Sequence, residues 1–186
     1  MDRVSTQEEL RSIALSEFAS AGYAATSLQR IAELAGVSKS SVLYHYSSKE
    51  ALLEAAIAPA IDRMEAIIDE FADRGLEADR TPFLESFVDL LLQYRLEVNM
   101  FINQGPSLVD VPVIDRANAI VVRLAEFFSA NTQSLEEKMR FGIALGGAAY
   151  MLCAVHTYNL VTEATDETRV ALISILSELL APVRTV

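Results

Sequence analysis

The chain has 186 residues, 52% of them hydrophobic, with 15 Lys+Arg against 26 Asp+Glu for a net charge of -11. That much apolar material excludes a disordered chain, and the acidity excludes a protein that coats nucleic acid with its whole surface. A single cysteine, Cys153, excludes an intrachain disulfide framework and fits a reducing cytosol. The N-terminal MDRVSTQEEL lacks the apolar core of a signal peptide, so a cytoplasmic protein is expected.

Helix signals run the length of the chain. Ser5 and Glu8 make a capping box, and Leu10, Ile13, Ala14, Phe18 and Ala21 fall on one helical face before Gly22 ends the helix. Thr26 with Gln29 is a second box; Leu28, Ile31, Ala32 and Ala35 repeat the spacing up to Gly36. Ser38 caps a short third helix to about His45. Ser47 with Glu50 then opens a long helix from about Ser48 to Arg74, with Pro59 as its expected bend. Thr81-Pro82 starts a helix to about Asn103, Gly105-Pro106 breaks it, and Pro112 begins another that ends near Ala130. Ser134 and Glu137 cap a helix to about Val161, and Thr165 caps a last one before Pro182. Phe141 to Thr162 carries no formal charge, but His156, Thr157, Tyr158 and Asn159 make it a buried bundle helix and not a membrane span. With about nine helices and no hairpin, the fold class is all-α. A three-helix helix-turn-helix head over residues 1–47 precedes a larger helical domain over 48–186.

The charge follows that division. Residues 1–50 hold five basic and six acidic side chains, whereas the rest holds ten and twenty. Three short helices with a glycine turn between the second and third, followed by a long helix, have the layout of a DNA-binding head. On the third helix Val42 and Tyr46 share the inward side. Ser40 and Tyr44 point nearly opposite, flanked by Ser41 and Leu43, with Lys39 and His45 at the margins. Hydroxyls can read base edges, and a leucine can meet a thymine methyl. Lys39, His45 and the tyrosine hydroxyl can hold phosphates. Lys49, in the first turn of the long helix, is poorly placed for the helix dipole unless an anion binds there.

The run TSLQRIAELAGVSKSSVLYHYSSKEALLEA resembles the N-terminal DNA-binding domain of TetR-family transcriptional regulators. The resemblance covers roughly residues 8–55. It implies phosphate contact at Thr26 and Ser27, recognition-helix positions at Lys39, Ser40, Ser41, Tyr44 and His45, and a phosphate contact at Lys49. Gln29 matches a position where the family often carries a base-contacting arginine. Leu43 replaces the family's first tyrosine, which removes one phosphate-binding hydroxyl, and Tyr46 replaces its phenylalanine.

The resemblance further implies a homodimer joined through helices near 135–162 and 166–181, palindromic double-stranded operator DNA, and a small-molecule effector in the larger domain. Gly142, Gly146 and Gly147 would admit a close helix there, and Val170, Ile173, Leu176 and Leu180 stripe the last helix. Phe83, Phe87, Tyr94, Phe101 and Phe127 are candidates to line a pocket. Arg95, Asn99, Asn103, His156 and Asn159 are candidates to orient a ligand in it, and the mostly aliphatic and aromatic lining favours an apolar or amphipathic effector. No cofactor is expected: two histidines and one cysteine make no metal cluster, and Gly142-x-x-x-Gly146-Gly147 follows no strand. The Cys153–His156 pair is read as packing, so no catalysis is expected. The alternative is a helical protein-interaction module without DNA binding.

Overall fold

The structure, a computed structural model, describes residues 3–74, 80–130, 134–158 and 166–181. The described residues form nine α-helices and no strand: α1 Arg3–Ala21, α2 Leu28–Leu34, α3 Lys39–His45, α4 Lys49–Arg74, α5 Thr81–Gln93, α6 Arg95–Gln104, α7 Pro112–Ala130, α8 Leu135–Tyr158 and α9 Asp166–Leu179. A 3-10 turn over Gly105–Ser107 joins α6 to the loop before α7.

The caps show where local sequence sets the boundaries and where it slips by a residue. Ser38 Oγ accepts the Ser41 N–H, and Ser134 Oγ accepts the Glu137 N–H, both as expected. The second cap is Ser27, not Thr26: Ser27 Oγ accepts from Arg30 N, which leaves Gln29 to donate to Glu33. The third is Ser48, not Ser47, through Ala51 N. In both pairs of adjacent hydroxyl residues, the spacing to the next Glu or Gln selects the wrong partner. The helix expected over 81–103 is two helices. Tyr94 leaves helical geometry at φ -110°, ψ 37°, ending α5 and starting α6. α4 continues through Pro59.

Two apolar cores hold the chain. The first joins Leu10, Phe18, Ile31 and Val42 of the head to Leu52, Leu53 and Ile57 of α4, then to Met100 of α6 and Ile114 of α7. It crosses the expected boundary at 47/48. The second packs α5 and the end of α4 against α8 and α9 around Phe83, whose ring lies 5.5 Å from Phe71 and 5.3 Å from Phe128. Arg116 reaches Asp62 and Glu65, and Arg123 reaches Asp69, pinning α7 along α4. These pairs are exposed, so they fix orientation more than they stabilise.

Candidate DNA-facing head and ligand cavity

The α3 helix divides by face. Val42 and Tyr46 are buried, and the Tyr46 hydroxyl donates to the Gln7 carbonyl at 3.0 Å, tying the end of α3 to α1. Burial pushes the Tyr46 phenol above its ordinary range. On the other side Lys39, Ser40, Leu43 and Tyr44 are exposed, Tyr44 at 67%, with its ring edge-on to His45 at 5.3 Å. Ser41 and His45 are half-buried, and Ser40 shares a 2.8 Å hydrogen bond with the capping Ser38. The structure thus brings Lys39, Ser40, Ser41, Leu43, Tyr44 and His45 to one edge of the head. Ser27 and Gln29 are exposed at the start of α2. Thr26 is not: it is 3% exposed, and its hydroxyl donates to the Gly22 carbonyl at 2.9 Å. Its side chain closes the α1–α2 turn instead of offering a group to a phosphate.

Tyr23 ties this head to the rest. Its ring packs 5.1 Å from Phe18, and the Lys49 ammonium lies over its face at 4.1 Å. Partial burial lowers the Lys49 pKa and raises that of Tyr23. The Tyr23 N–H donates to Gln104 Oε1 at 2.6 Å, and Gln104 Nε2 donates to the Phe18 carbonyl. The last residue of α6 therefore clasps the end of α1. Gly22 beside it adopts φ 95°, a left-handed backbone that favours glycine.

A cavity of about 670 Å³ lies between α4, α5, α6, α7 and α8. Its wall includes Met64, Phe87, Phe101, Leu124, Phe128 and Leu145, and its charged lining is Glu97 and Lys138. Exposed Val121, Lys138 and Tyr150 also line it, placing its rim between α7 and α8. Of the residues expected to meet a ligand, Phe87 and Phe101 line it. Phe83 and Phe127 belong to the ring cluster beside it, and Tyr94 sits at the α5–α6 break. Asn99 donates to the Cys153 carbonyl at 3.2 Å, and Asn103 to the Asn99 carbonyl at 3.0 Å. Arg95 keeps its Nε buried without a partner. None of these last three lines the cavity. The His156 side chain, Asn159, Thr165 and Pro182 lie outside the described residues.

The sequence reading missed Glu97. On α6 it stands four residues before Phe101, so a wheel of α6 taken as its own helix places both on one side. Gly142 and Gly146 line the cavity as well, and a Cβ at either, or at Gly147, would meet nothing within 4 Å. Among the described residues no helix approaches them closely. Among the described residues no group of three or more His, Cys, Asp or Glu could hold a metal, and no helix is long and apolar enough to cross a membrane.

Comparison with known proteins bears on the head first. Residues 10–56 match the model of the bacterial regulatory proteins of the tetR family. This head is of the TetR-family type. The chain is 45% identical over 56 residues to the HTH-type transcriptional regulator RutR of Escherichia coli K12, a stretch that covers 30% of this chain and 26% of RutR. The HTH-type transcriptional repressor KstR2 of Mycolicibacterium smegmatis is 30% identical over 115 residues, 60% of this chain and 55% of that protein. The chain thus spans about a quarter of one of these relatives and about half of the other. The whole TetR-family fold is shared more widely than its sequence. A family member from Streptomyces coelicolor A3 superposes with a TM-score of 0.71 at 22% identity, over 95% of this chain and 91% of its own. KstR2 of Mycobacterium tuberculosis gives 0.69 at 15%, over 94% and 92%. The family match ends at Ala56, inside α4, so the cavity lies almost wholly beyond it.

Proposed function

We propose that the protein is a dimeric DNA-binding transcriptional regulator, a repressor released from its operator by a small apolar or amphipathic effector. The observation that carries this reading is the α3 face, where Lys39, Leu43 and Tyr44 are exposed while Val42 and Tyr46 anchor the helix behind them. Side chains on that edge suit a major groove, and Lys49, Ser27 and Gln29 flank it for backbone contact. Two relatives named as a transcriptional regulator and a transcriptional repressor support it. Met139, Ile143 and Tyr150 of α8, with Val170, Ile175 and Leu179 of α9, are exposed apolar residues that suit a twofold interface between copies. The effector would occupy the α4–α8 cavity, whose volume is in the range of small-molecule sites.

Selecting bound duplexes from a random pool tests the reading. A palindromic site with half-sites about 34–36 Å apart, or a multiple of that, is expected for a dimer reading successive major grooves. Failure to enrich any duplex sinks the regulator reading. A hundredfold loss of operator affinity on effector binding needs about 2.7 kcal/mol of coupling, and the operator must then weaken effector binding by the same factor.

A further inference from the structure

The cavity wall is hydrocarbon apart from a few groups, and those decide which molecules can fill it. Among the described residues Glu97 is the one carboxylate that lines the wall. Burial raises its pKa, with its own backbone N–H and the Arg11 guanidinium pulling the other way. No side chain among the described residues hydrogen-bonds to it or forms an ion pair with it. Glu97 is half-buried; a carboxylate partly withdrawn from water with no cation paired directly to it is unfavourable, and a bound cation offsets that cost.

Lys138 does not supply the cation. It is exposed, and it stands eleven residues before Ala149 on α8, roughly 16 Å of helix rise. Asn99, two residues after Glu97, reaches the Cys153 carbonyl fifteen residues further along α8 than Lys138, and no ion pair joins Lys138 to Glu97 among the described residues. The surrounding field has the same preference. Residues 51–186 carry twenty acidic and ten basic side chains, a charge balance that draws cations in and turns anions away.

We propose that the cavity takes an amphiphile with a cationic, N–H-donating head against Glu97 and a hydrocarbon body among Met64, Phe87, Phe101 and Leu124. This rests on reading the cavity as the effector site. The head group selects by charge and the body by area, so affinity separates into two measurable parts.

Titration calorimetry of the full-length protein with decylamine, decanol and decanoate, each below its aggregation threshold at pH 7.5, tests the head at constant tail. Decylamine is expected to bind about tenfold more tightly than decanol, with decanoate weakest. In Glu97→Gln the amine-to-alcohol ratio should fall close to one. Should that variant fail to fold, the wild-type order of the three compounds carries the test, and Glu97→Asp should keep the amine first. Equal binding of amine and alcohol, or decanoate first, overturns the head-group assignment while leaving the cavity a ligand site. An amine preference that survives Glu97→Gln assigns it to another group and also overturns the proposal. Absence of binding by all three overturns the proposal and removes the support for an effector cavity as well.

Discussion

Gln104 is the side chain whose loss should be felt at both ends of the molecule. It ends α6, whose Glu97, Val98, Phe101 and Ile102 line the cavity, and its amide holds Tyr23 N–H and the Phe18 carbonyl in the head. Gln104→Ala leaves that donor and that acceptor without partners. An unsatisfied buried group costs about 1–3 kcal/mol. Both bonds are only partly buried, so water recovers some of the loss and about 2 kcal/mol remains for the pair. For a chain of this size roughly 2–4 °C is lost per kcal/mol, so calorimetry should show Tm falling by about 4–8 °C. Gln104→Glu, which sets a second oxygen against the Phe18 carbonyl, should be at least as harmful at neutral pH. A coupling measurement adds the functional arm: effector should relieve operator binding less in Gln104→Ala than in wild type. A Tm within 1 °C of wild type, with undiminished effector response, would refute the clasp.

Tyr44→Ala should cut operator affinity by about 1–3 kcal/mol without moving Tm, because the ring is exposed and held only at the surface; a folded variant with full affinity would contradict the face assignment. Lys49→Ala should weaken binding to all duplexes alike and flatten the log K against log salt slope by about 1 per subunit. An unchanged slope would leave Lys49 with only its Tyr23 contact. The Cys153 thiol is buried and pushed up to about 11, so the native protein should resist iodoacetamide at pH 8 and react once unfolded. Because its folded pKa is raised, the stabilisation is whole below the ordinary thiol value and declines as pH rises toward 11. Cys153→Ala should remove that alkaline slope in Tm, and rapid alkylation of the native thiol would refute the burial.

The head was legible because its signals are local. A seven-residue helix such as α3 has one cap, one inward pair and one outward face, and periodicity alone sorts Val42 and Tyr46 from Ser40 and Tyr44. Thr26 escaped that logic, since either of two adjacent hydroxyls can cap a helix and only the fold of the α1–α2 turn decides which one stays outside. The body was less legible for a different reason. Phe83, Phe87 and Phe128 are alike in sequence, and whether a ring packs on another ring or borders empty space depends on helices far apart in the chain. The α5–α6 break at Tyr94 also hid Glu97. Read as one helix from 81 to 103, the chain puts that carboxylate out of register with Phe87 and gives no sign that it turns inward.

The core that runs from Leu10 through Ile57 to Ile114 sets a rule for anyone wishing to exchange heads between proteins of this fold. A cut after residue 47 would strip Leu52, Leu53, Ala56 and Ile57 from beneath Phe18, Ile31 and Val42, leaving α3 on an open floor. A transplant that carried α4 past Ile61 would keep that floor, yet the donor head would still arrive without Met100 and without the amide of Gln104. The recipient body would have to offer a matching residue at the end of its own sixth helix. The unit that can be inherited or engineered separately is therefore the pairing of a head with one helical terminus of its body, and a chimera that ignores this should fold its head yet lose the coupling between head and body.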